Sequence, residues 1–177
     1  MKLPAQRMNE VVQQVEQEGV VACPAEAVWG LTCDPLSEDA VLQLLAMKHR
    51  PISKGLIIVA ASSAMFGPLL KPLDSAQRNE LELSWPGPNT WLVPNRGLYP
   101  DWITGESDEI AIRVTSAPAL ALLSYRLGRP VVSTSANPAG AQPARHSFQV
   151  VRYFGRGLVR APGVVDLEAS PSTIRRV

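Results

Sequence analysis

The spacing of apolar residues along the chain predicts alternating helices and strands. Between Met8 and Val15 they recur at i, i+3, i+4 and i+7, the spacing of one helix face, so residues 4–18 are predicted to form an amphipathic helix. Residues 110–114 alternate between apolar and polar or small side chains, as in a half-buried strand. Capping, breaking and apolar-run signals predict helices over 38–47, 74–83, 117–128 and 147–154, and strands over 20–23, 56–60, 90–93, 158–160 and 173–177, with another beginning at 131.

Helices and strands interleave through the whole chain, and this order predicts the architecture. We expect an α/β (mixed α+β) fold in which three layers are built around one twisted, mixed parallel/antiparallel sheet. A chain of 177 residues can bury most of the surface that its unfolded form exposes, so a single domain over residues 1–177 is predicted.

The remaining bulk features narrow the class of protein. No apolar run approaches the roughly 20 residues that a membrane-spanning helix needs, and the N-terminus lacks the apolar core of a secretory signal. Cys23 and Cys33 are accompanied by no second cysteine pair or histidine cluster, so they do not fit a metal site. We therefore expect a cytoplasmic protein without membrane association, in which both cysteines are reduced and buried.

Charge is distributed unevenly along the chain. Residues 1–110 contain 8 Lys/Arg and 14 Asp/Glu, whereas residues 111–177 contain 9 Arg and 2 acids. Such polarity favours a surface that faces a polyanion, either a nucleotide or RNA. The alternative is that these arginines pair with the acids of the first part across the fold.

A compact group of cations follows the second predicted helix. Lys48, Arg50 and Lys54 lie within seven residues, on a loop constrained by Pro51 and Gly55. Several fixed donors of this kind are what a polyphosphate requires. Cations at a helix C-terminus also interact favourably with the helix dipole, so a simple helix cap is the alternative.

A hydroxyl-rich turn follows the strand that begins at residue 131. Ser133, Ser135 and Asn137 would lie beyond the carboxyl end of this strand, where open α/β sheets usually bind ligands. An ordinary turn that satisfies its own backbone is the alternative.

An arginine and an acid stand out in otherwise apolar or small surroundings. Arg113 occupies the middle of a predicted strand, where it must be paired or must face a polar cleft, because an unpaired buried charge is costly. Glu26, in a small-residue loop predicted over 24–30 after a strand, could orient a cation or cap a helix. Neither residue alone decides between a structural and a functional role.

Familiar nucleotide and metal motifs are missing from the sequence. There is no G-x-x-x-x-G-K-[ST] phosphate loop and no G-x-G-x-x-G fingerprint. The two histidines, His49 and His146, are far apart, so neither a zinc site nor a histidine-centred triad is indicated. If ATP binds, a different kind of phosphate site must hold it.

Taken together, six ordered segments between about residues 5 and 175 resemble the YrdC/TsaC family of threonylcarbamoyl-AMP synthases. They are Pro-x-Glu-x-x-x-Gly at 24–30, Lys-x-Arg-Pro-x-x-Lys-Gly-Leu at 48–56, Trp-Pro-Gly-Pro-x-Thr at 85–90, Ile-Arg-Val at 112–114, Ser-Thr-Ser-Ala-Asn at 133–137 and Pro-Ser-Thr-Ile at 171–174.

The resemblance implies a nucleotidyltransferase with a concave, positively charged cleft. Its substrates would be ATP, L-threonine and bicarbonate, with Mg²⁺ carried by the ATP phosphates. The product would serve threonylcarbamoyladenosine modification of tRNA, so tRNA or tRNA-modification proteins would act downstream. The roles implied are ATP contacts from Lys48, Arg50, Lys54, Ser135 and Asn137, of which Lys48 and Arg50 are catalytic, and threonine contacts from Arg113, Ser133 and Ser172.

Two other functions remain open, each for its own reason. The family's loop usually reads Pro-Thr-Glu, whereas this chain has Ala25, so a hydroxyl that faces the amino-acid site is missing. This departure keeps open a carbamoyl-adenylate enzyme with another acceptor. The arginine-rich second half of the chain favours the other alternative, a non-catalytic module that binds double-stranded RNA or tRNA.

Overall fold

Seven strands form one mixed sheet in the computed structural model, which describes residues 4–170 and 172–177. The strands are β1 (Val21–Pro24), β2 (Trp29–Thr32), β3 (Ile57–Ala60), β4 (Asn89–Pro94), β5 (Glu109–Val114), β6 (Val131–Ser135) and β7 (Thr173–Arg176). Their order across the sheet is β1-β2-β6-β3-β5-β4-β7. The pairs β3–β5 and β4–β7 are parallel and the other four are antiparallel, which confirms the predicted mixed sheet.

Local signals in the sequence explain where the helices begin. Ser37 accepts a hydrogen bond from the Ala40 N–H (3.3 Å), and Asp74 forms a capping box with Gln77, so two of the predicted N-termini are confirmed. The α-helices of the described residues are α1 (Ala5–Glu16), α2 (Glu38–Lys48), α3 (Gly67–Leu70), α4 (Ser75–Ser84), α5 (Asp101–Thr104), α6 (Pro118–Leu127) and α7 (Ser147–Phe154).

Different helices bury the two faces of the sheet. Successive residues of a strand point to opposite faces, and accordingly Ile58 and Val132 belong to one apolar cluster whereas Val59 and Val131 belong to another. The cluster around Val59 is completed by α1 and α6, and the cluster around Ile58 by α2 and α4. The result is the predicted arrangement of three layers.

Two segments differ from their predictions. We expected residues 24–30 to be a loop, but β2 begins at Trp29 and pairs with both β1 and β6. All four residues of β2 are buried, so it has none of the apolar–polar alternation that would reveal a half-buried strand. The strand predicted over 158–160 is reduced to an isolated bridge between Ala22 and Arg160.

The cysteines lie in the interior, as predicted. Cys23 and Cys33 are both free and buried, and burial raises the pKa of each thiol, which keeps it protonated. Within residues 4–170 and 172–177, no helix combines the length and apolar character that a bilayer span requires.

Ion pairs across the fold account for part of the charge asymmetry. Within residues 4–170 and 172–177, three arginines of the second part of the chain pair with acids of the first part, as the structural alternative predicts. The pairs are Arg113–Glu26 (3.3 Å), Arg129–Asp34 (2.9 Å) and Arg176–Glu109 (2.7 Å).

Candidate active site

A cavity of about 440 Å³ lies over one face of the sheet. The strand register places Ile57 beside Ala111 and Ser133, on the same face as Val59. Helices α1 and α6 pack over Val59. The cavity lies further along the same face, where Ile57, Ala111 and Ser133 line it. Its volume lies within the range of about 300–1,000 Å³ that is typical of small-molecule sites.

The cavity wall carries more positive than negative side chains. Arg50, Lys54 and Arg113 line it together with Glu26 and Glu109. Glu109 is paired with Arg176 on the neighbouring edge of the sheet. Glu26 and Glu109 therefore both have an arginine partner within the chain. Arg50 and Lys54 form no ion pair in the described residues, so their charges are available to an anionic ligand.

Arg113 and Glu26 form a buried ion pair at the cavity. Arg113 Nη2 lies 3.3 Å from Glu26 Oε2, and Glu26 Oε1 accepts hydrogen bonds from the Thr115 hydroxyl (2.7 Å) and the Ser116 N–H (3.2 Å). Burial lowers the pKa of Arg113, and the Glu26 charge opposes that shift. Arg113 also lines the cavity, so Glu26 orients the guanidinium while the terminal N–H donors outside this pair are available to a ligand carboxylate.

The loop over 48–55 folds back on itself and faces the cavity with its second half. Arg50 Nη2 donates to the carbonyl oxygens of Gly55 (2.9 Å) and Lys54 (3.3 Å). Gly55 has φ +59°, and a Cβ there would lie 2.9 Å from the Thr104 carbonyl oxygen, so glycine is required for this close approach to α5. Lys54 is exposed at the cavity rim.

Lys48 points away from the cavity. It is 4% exposed and is absent from the cavity wall. Its Nζ donates hydrogen bonds to the carbonyl oxygens of Ser135 and Asn137, the second at 3.0 Å. Burial, with a smaller contribution from the Arg50 charge, lowers the pKa of Lys48 to about 8.

We expected Ser133, Ser135 and Asn137 to lie beyond the carboxyl end of their strand, but β6 continues through Ser135 and pairs Ser133 with Ile57 and Ser135 with Gly30, so only Asn137 lies in the turn. We call the end of β6 and the turn after it the 133–137 loop; its serines reach the cavity and its asparagine does not. Ser133 and Ser135 line the wall. The Asn137 side-chain amide donates to the carbonyl oxygens of Pro138 (3.1 Å) and Ala141 (2.8 Å), so it shapes the turn itself. A Cβ on Gly30 would lie 3.2 Å from the Thr134 carbonyl oxygen, so glycine lets β2 approach this loop closely.

The last described segment completes the wall. Ser172 and Ile174 line the cavity, and the Ser172 hydroxyl accepts a hydrogen bond from the buried Thr90 hydroxyl (3.2 Å). Of the motif predicted at 171–174, Pro171 lies outside the described residues.

Six of the eight predicted site residues meet at this cavity. Lys48 and Asn137 are the other two: Lys48 bonds to the backbone of the 133–137 loop, and the Asn137 side chain bonds within the turn. Sequence reasoning did not assign Glu26 to the site. The sequence does contain one acid in a small-residue segment and one arginine within a strand. Only the fold shows that Glu26 and Arg113 pair with each other. The residues that were predicted and line the cavity are Arg50, Lys54, Arg113, Ser133, Ser135 and Ser172.

The lowered pKa of Lys48 predicts a pH dependence of stability. Between about pH 8 and its ordinary pKa of 10.5, Lys48 has lost its proton in the folded state and keeps it in the unfolded state. Unfolding therefore takes up a proton, so the free energy of unfolding rises with pH, by at most about 1.4 kcal/mol per pH unit. Urea unfolding gives the free energy of unfolding of the wild type and of Lys48→Met at each pH. The value for the wild type minus that for Lys48→Met should increase from about pH 7 to about pH 9. A difference that is constant with pH would contradict a lowered pKa.

The fold and the cavity define an α/β protein with a cavity, lined by more cationic than anionic side chains, over the open part of a mixed sheet. A family model named Sua5_yciO_yrdC, with the description telomere recombination, matches residues 13–177. The chain belongs to this Sua5/YciO/YrdC family.

Relatives of high similarity share one name. A threonylcarbamoyl-AMP synthase of Cellvibrio japonicus is 50% identical over 170 residues, covering 96% of this chain and 90% of the relative. Another, from Pseudomonas paraeruginosa, is 51% identical over 162 residues, covering 91% and 87%. Nearly the whole of each relative is therefore represented in this chain.

Solved structures give the same fold. P. abyssi Sua5 complexed with L-threonine superposes with a TM-score of 0.86 at 25% identity, covering 100% of this chain and 52% of Sua5. This chain thus corresponds to about half of Sua5. E. coli YciO, at 19% identity and a TM-score of 0.81, covers 98% of this chain and 85% of YciO and shows the fold alone.

Proposed function

We propose that this protein is a threonylcarbamoyl-AMP synthase, a nucleotidyltransferase that uses ATP, L-threonine and bicarbonate. The observation that carries the proposal is the joint placement of Arg50, Lys54 and Arg113 on one cavity wall. A triphosphate and an amino-acid carboxylate both need cations, and the serines at 133 and 135 lie on the same wall. The names of the relatives agree with this chemistry.

The proposed reaction has two bond-forming steps. The threonine amine and bicarbonate first give a carbamate and water. A carbamate oxygen then attacks the α-phosphorus of ATP, the bond to the β-phosphate oxygen breaks, and pyrophosphate leaves. The products are threonylcarbamoyl-AMP and pyrophosphate, and no side chain forms a covalent intermediate.

The side chains bind and orient the two substrates. Arg113, held by Glu26, pairs with the threonine carboxylate, with Ser133 and Ser172 beside the amino acid. Negative charge grows on the departing pyrophosphate, so Arg50 and Lys54 stabilise the transition state more than the ground state. We also propose that Ser135 contributes a nucleotide contact from the 133–137 loop.

Mg²⁺ fits this site as part of the MgATP complex. The carboxylates on the cavity wall, Glu26 and Glu109, are both engaged with arginines, and in the described residues no three acids, cysteines or histidines converge. Phosphate oxygens and water would therefore supply its ligands. Bound in this way, Mg²⁺ would neutralise part of the charge on the phosphates.

The product is proposed to serve tRNA modification in the cytoplasm, through tRNA or tRNA-modification proteins that act downstream. The single-domain organisation over 1–177 remains a prediction, as does the cytoplasmic location.

Pyrophosphate release tests the proposal. Purified protein with ATP and Mg²⁺ should release pyrophosphate only when L-threonine and bicarbonate are both present. Release that ignores threonine would indicate a different acceptor. No release, together with salt-sensitive binding of double-stranded RNA, would favour the RNA-binding alternative.

Replacing Ala25 with threonine is expected to improve threonine binding. Ala25 lines the cavity and is 9% exposed, so the new hydroxyl would gain a contact with the amino acid. One added hydrogen bond predicts a KM for L-threonine about 3- to 10-fold lower, with the KM for ATP unchanged. Steady-state kinetics against each substrate measure this, with Ala25→Val as the matched control that adds bulk without the hydroxyl. An unchanged KM in Ala25→Thr would remove Ala25 from the threonine site.

A further inference from the structure

Lys48 occupies the buried face of α2. The buried residues of this helix recur as Ala40, Val41, Leu44, Leu45 and Lys48, so Lys48 continues the apolar stripe by one turn. A buried cation is costly unless it is paired or hydrogen-bonded. In the described residues Lys48 forms no ion pair, and its Nζ is bonded to the main-chain oxygens of the 133–137 loop instead.

The main chain of Lys48 bonds to the same segment. The Ala139 N–H donates to the Lys48 carbonyl oxygen at 2.8 Å. Both the side chain and the main chain of one residue therefore connect the end of α2 to residues 135–139. Arg50 and Lys54, two and six residues further on, point to the cavity instead.

We propose that Lys48 is a positioning residue, which holds the backbone where β6 ends, at residues 135–137, so that Ser135 keeps its place on the cavity wall, and which does not itself contact the phosphates of ATP. The identity of the two ligands rests on the proposed function, whereas the effect on the loop does not. Ser133 and Ser135 both lie on the cavity wall, one assigned above to threonine and the other to the nucleotide. A shift of this end of β6 therefore affects the binding of both proposed substrates, so Lys48 influences them while touching neither.

Hydrogen exchange of the ligand-free protein gives the first test. Lys48→Met removes the donors and keeps most of the side-chain volume. Amides in a peptide covering 134–144 should exchange about 10-fold faster or more, the size expected for the loss of a charge-assisted hydrogen bond. Lys54→Met is the matched control, since Lys54 is exposed and forms no side-chain hydrogen bond to this loop in the described structure; its exchange should equal that of the wild type.

Substrate binding gives the second test. Calorimetric titration of the wild type with MgATP and, separately, with L-threonine gives the reference affinities. Lys48→Met should weaken both by similar factors of about 10-fold. Lys54→Met should weaken MgATP by about 10-fold and change L-threonine by less than about twofold.

The outcomes separate the possible roles. Weaker MgATP binding in Lys48→Met, with normal exchange at 134–144 and normal threonine affinity, would show that Lys48 is a phosphate ligand and would overturn the proposal. If Lys48→Met does not fold, Ala139→Pro removes the other bond to Lys48 at an exposed position and should produce the same faster exchange and the same parallel loss of affinity. If the wild type binds neither substrate, the proposed function fails, while the exchange comparison still decides the role of Lys48.

Discussion

Replacing Arg113 with lysine is expected to raise the KM for L-threonine by about 10- to 100-fold, while the KM for ATP changes by less than about threefold. The planar guanidinium can pair with Glu26 through one nitrogen and present its remaining terminal donors to a carboxylate in the cavity. An ammonium group keeps the charge but cannot serve both carboxylates in this geometry. Initial rates at varied threonine and saturating ATP measure the effect.

A second arginine with a similar partner provides the control. Arg129 is paired with Asp34 at 2.9 Å and does not line the cavity. Arg129→Lys should therefore leave both KM values at their wild-type levels. A threonine KM that is equally unaffected in Arg113→Lys would mean that Arg113 is only a structural partner of Glu26, which is the alternative that the sequence left open.

Arg50→Ala is expected to lower kcat/KM for ATP by at least about 100-fold in a protein that remains folded. Two effects combine in this variant. A cation is lost from the phosphate side of the cavity, and the bonds from Arg50 to the carbonyl oxygens of Lys54 and Gly55 are lost as well. Circular dichroism and thermal unfolding establish the fold, and pyrophosphate release measures the rate.

Arg126→Ala is the control for the loss of one arginine. Arg126 is exposed on α6, where its only side-chain hydrogen bond in the described residues is to Asn9. Its removal should leave turnover unchanged. Near-normal turnover in Arg50→Ala would contradict the phosphate role assigned to the 48–55 loop.

The fold was predictable where local rules operate. Ser37 and Asp74 mark the beginnings of α2 and α4 because their side chains satisfy free N–H groups. β2 was not predictable in this way: it is buried on both faces, so its residues Trp29–Thr32 carry no alternation. Its position depends on pairing with β6, which lies a hundred residues away in the chain.

The site was predictable in its residue types and less so in its orientations. Three cations in a short loop suggested a phosphate site, but nearness in sequence does not determine where each side chain points. Lys48 is still part of α2, so helical periodicity places it on the buried face, four residues after Leu44. The ion pair between Glu26 and Arg113 required long-range pairing of strands and could not be inferred from either residue alone.

The central claim is tested most directly by identifying the product. The wild-type protein, MgATP, L-threonine and ¹³C-labelled bicarbonate would be incubated together and the mixture analysed by mass spectrometry. We expect an adenylate with the mass of threonylcarbamoyl-AMP that carries the ¹³C label and is absent when either threonine or bicarbonate is omitted. An unlabelled adenylate, or the formation of AMP or ADP alone, would contradict it.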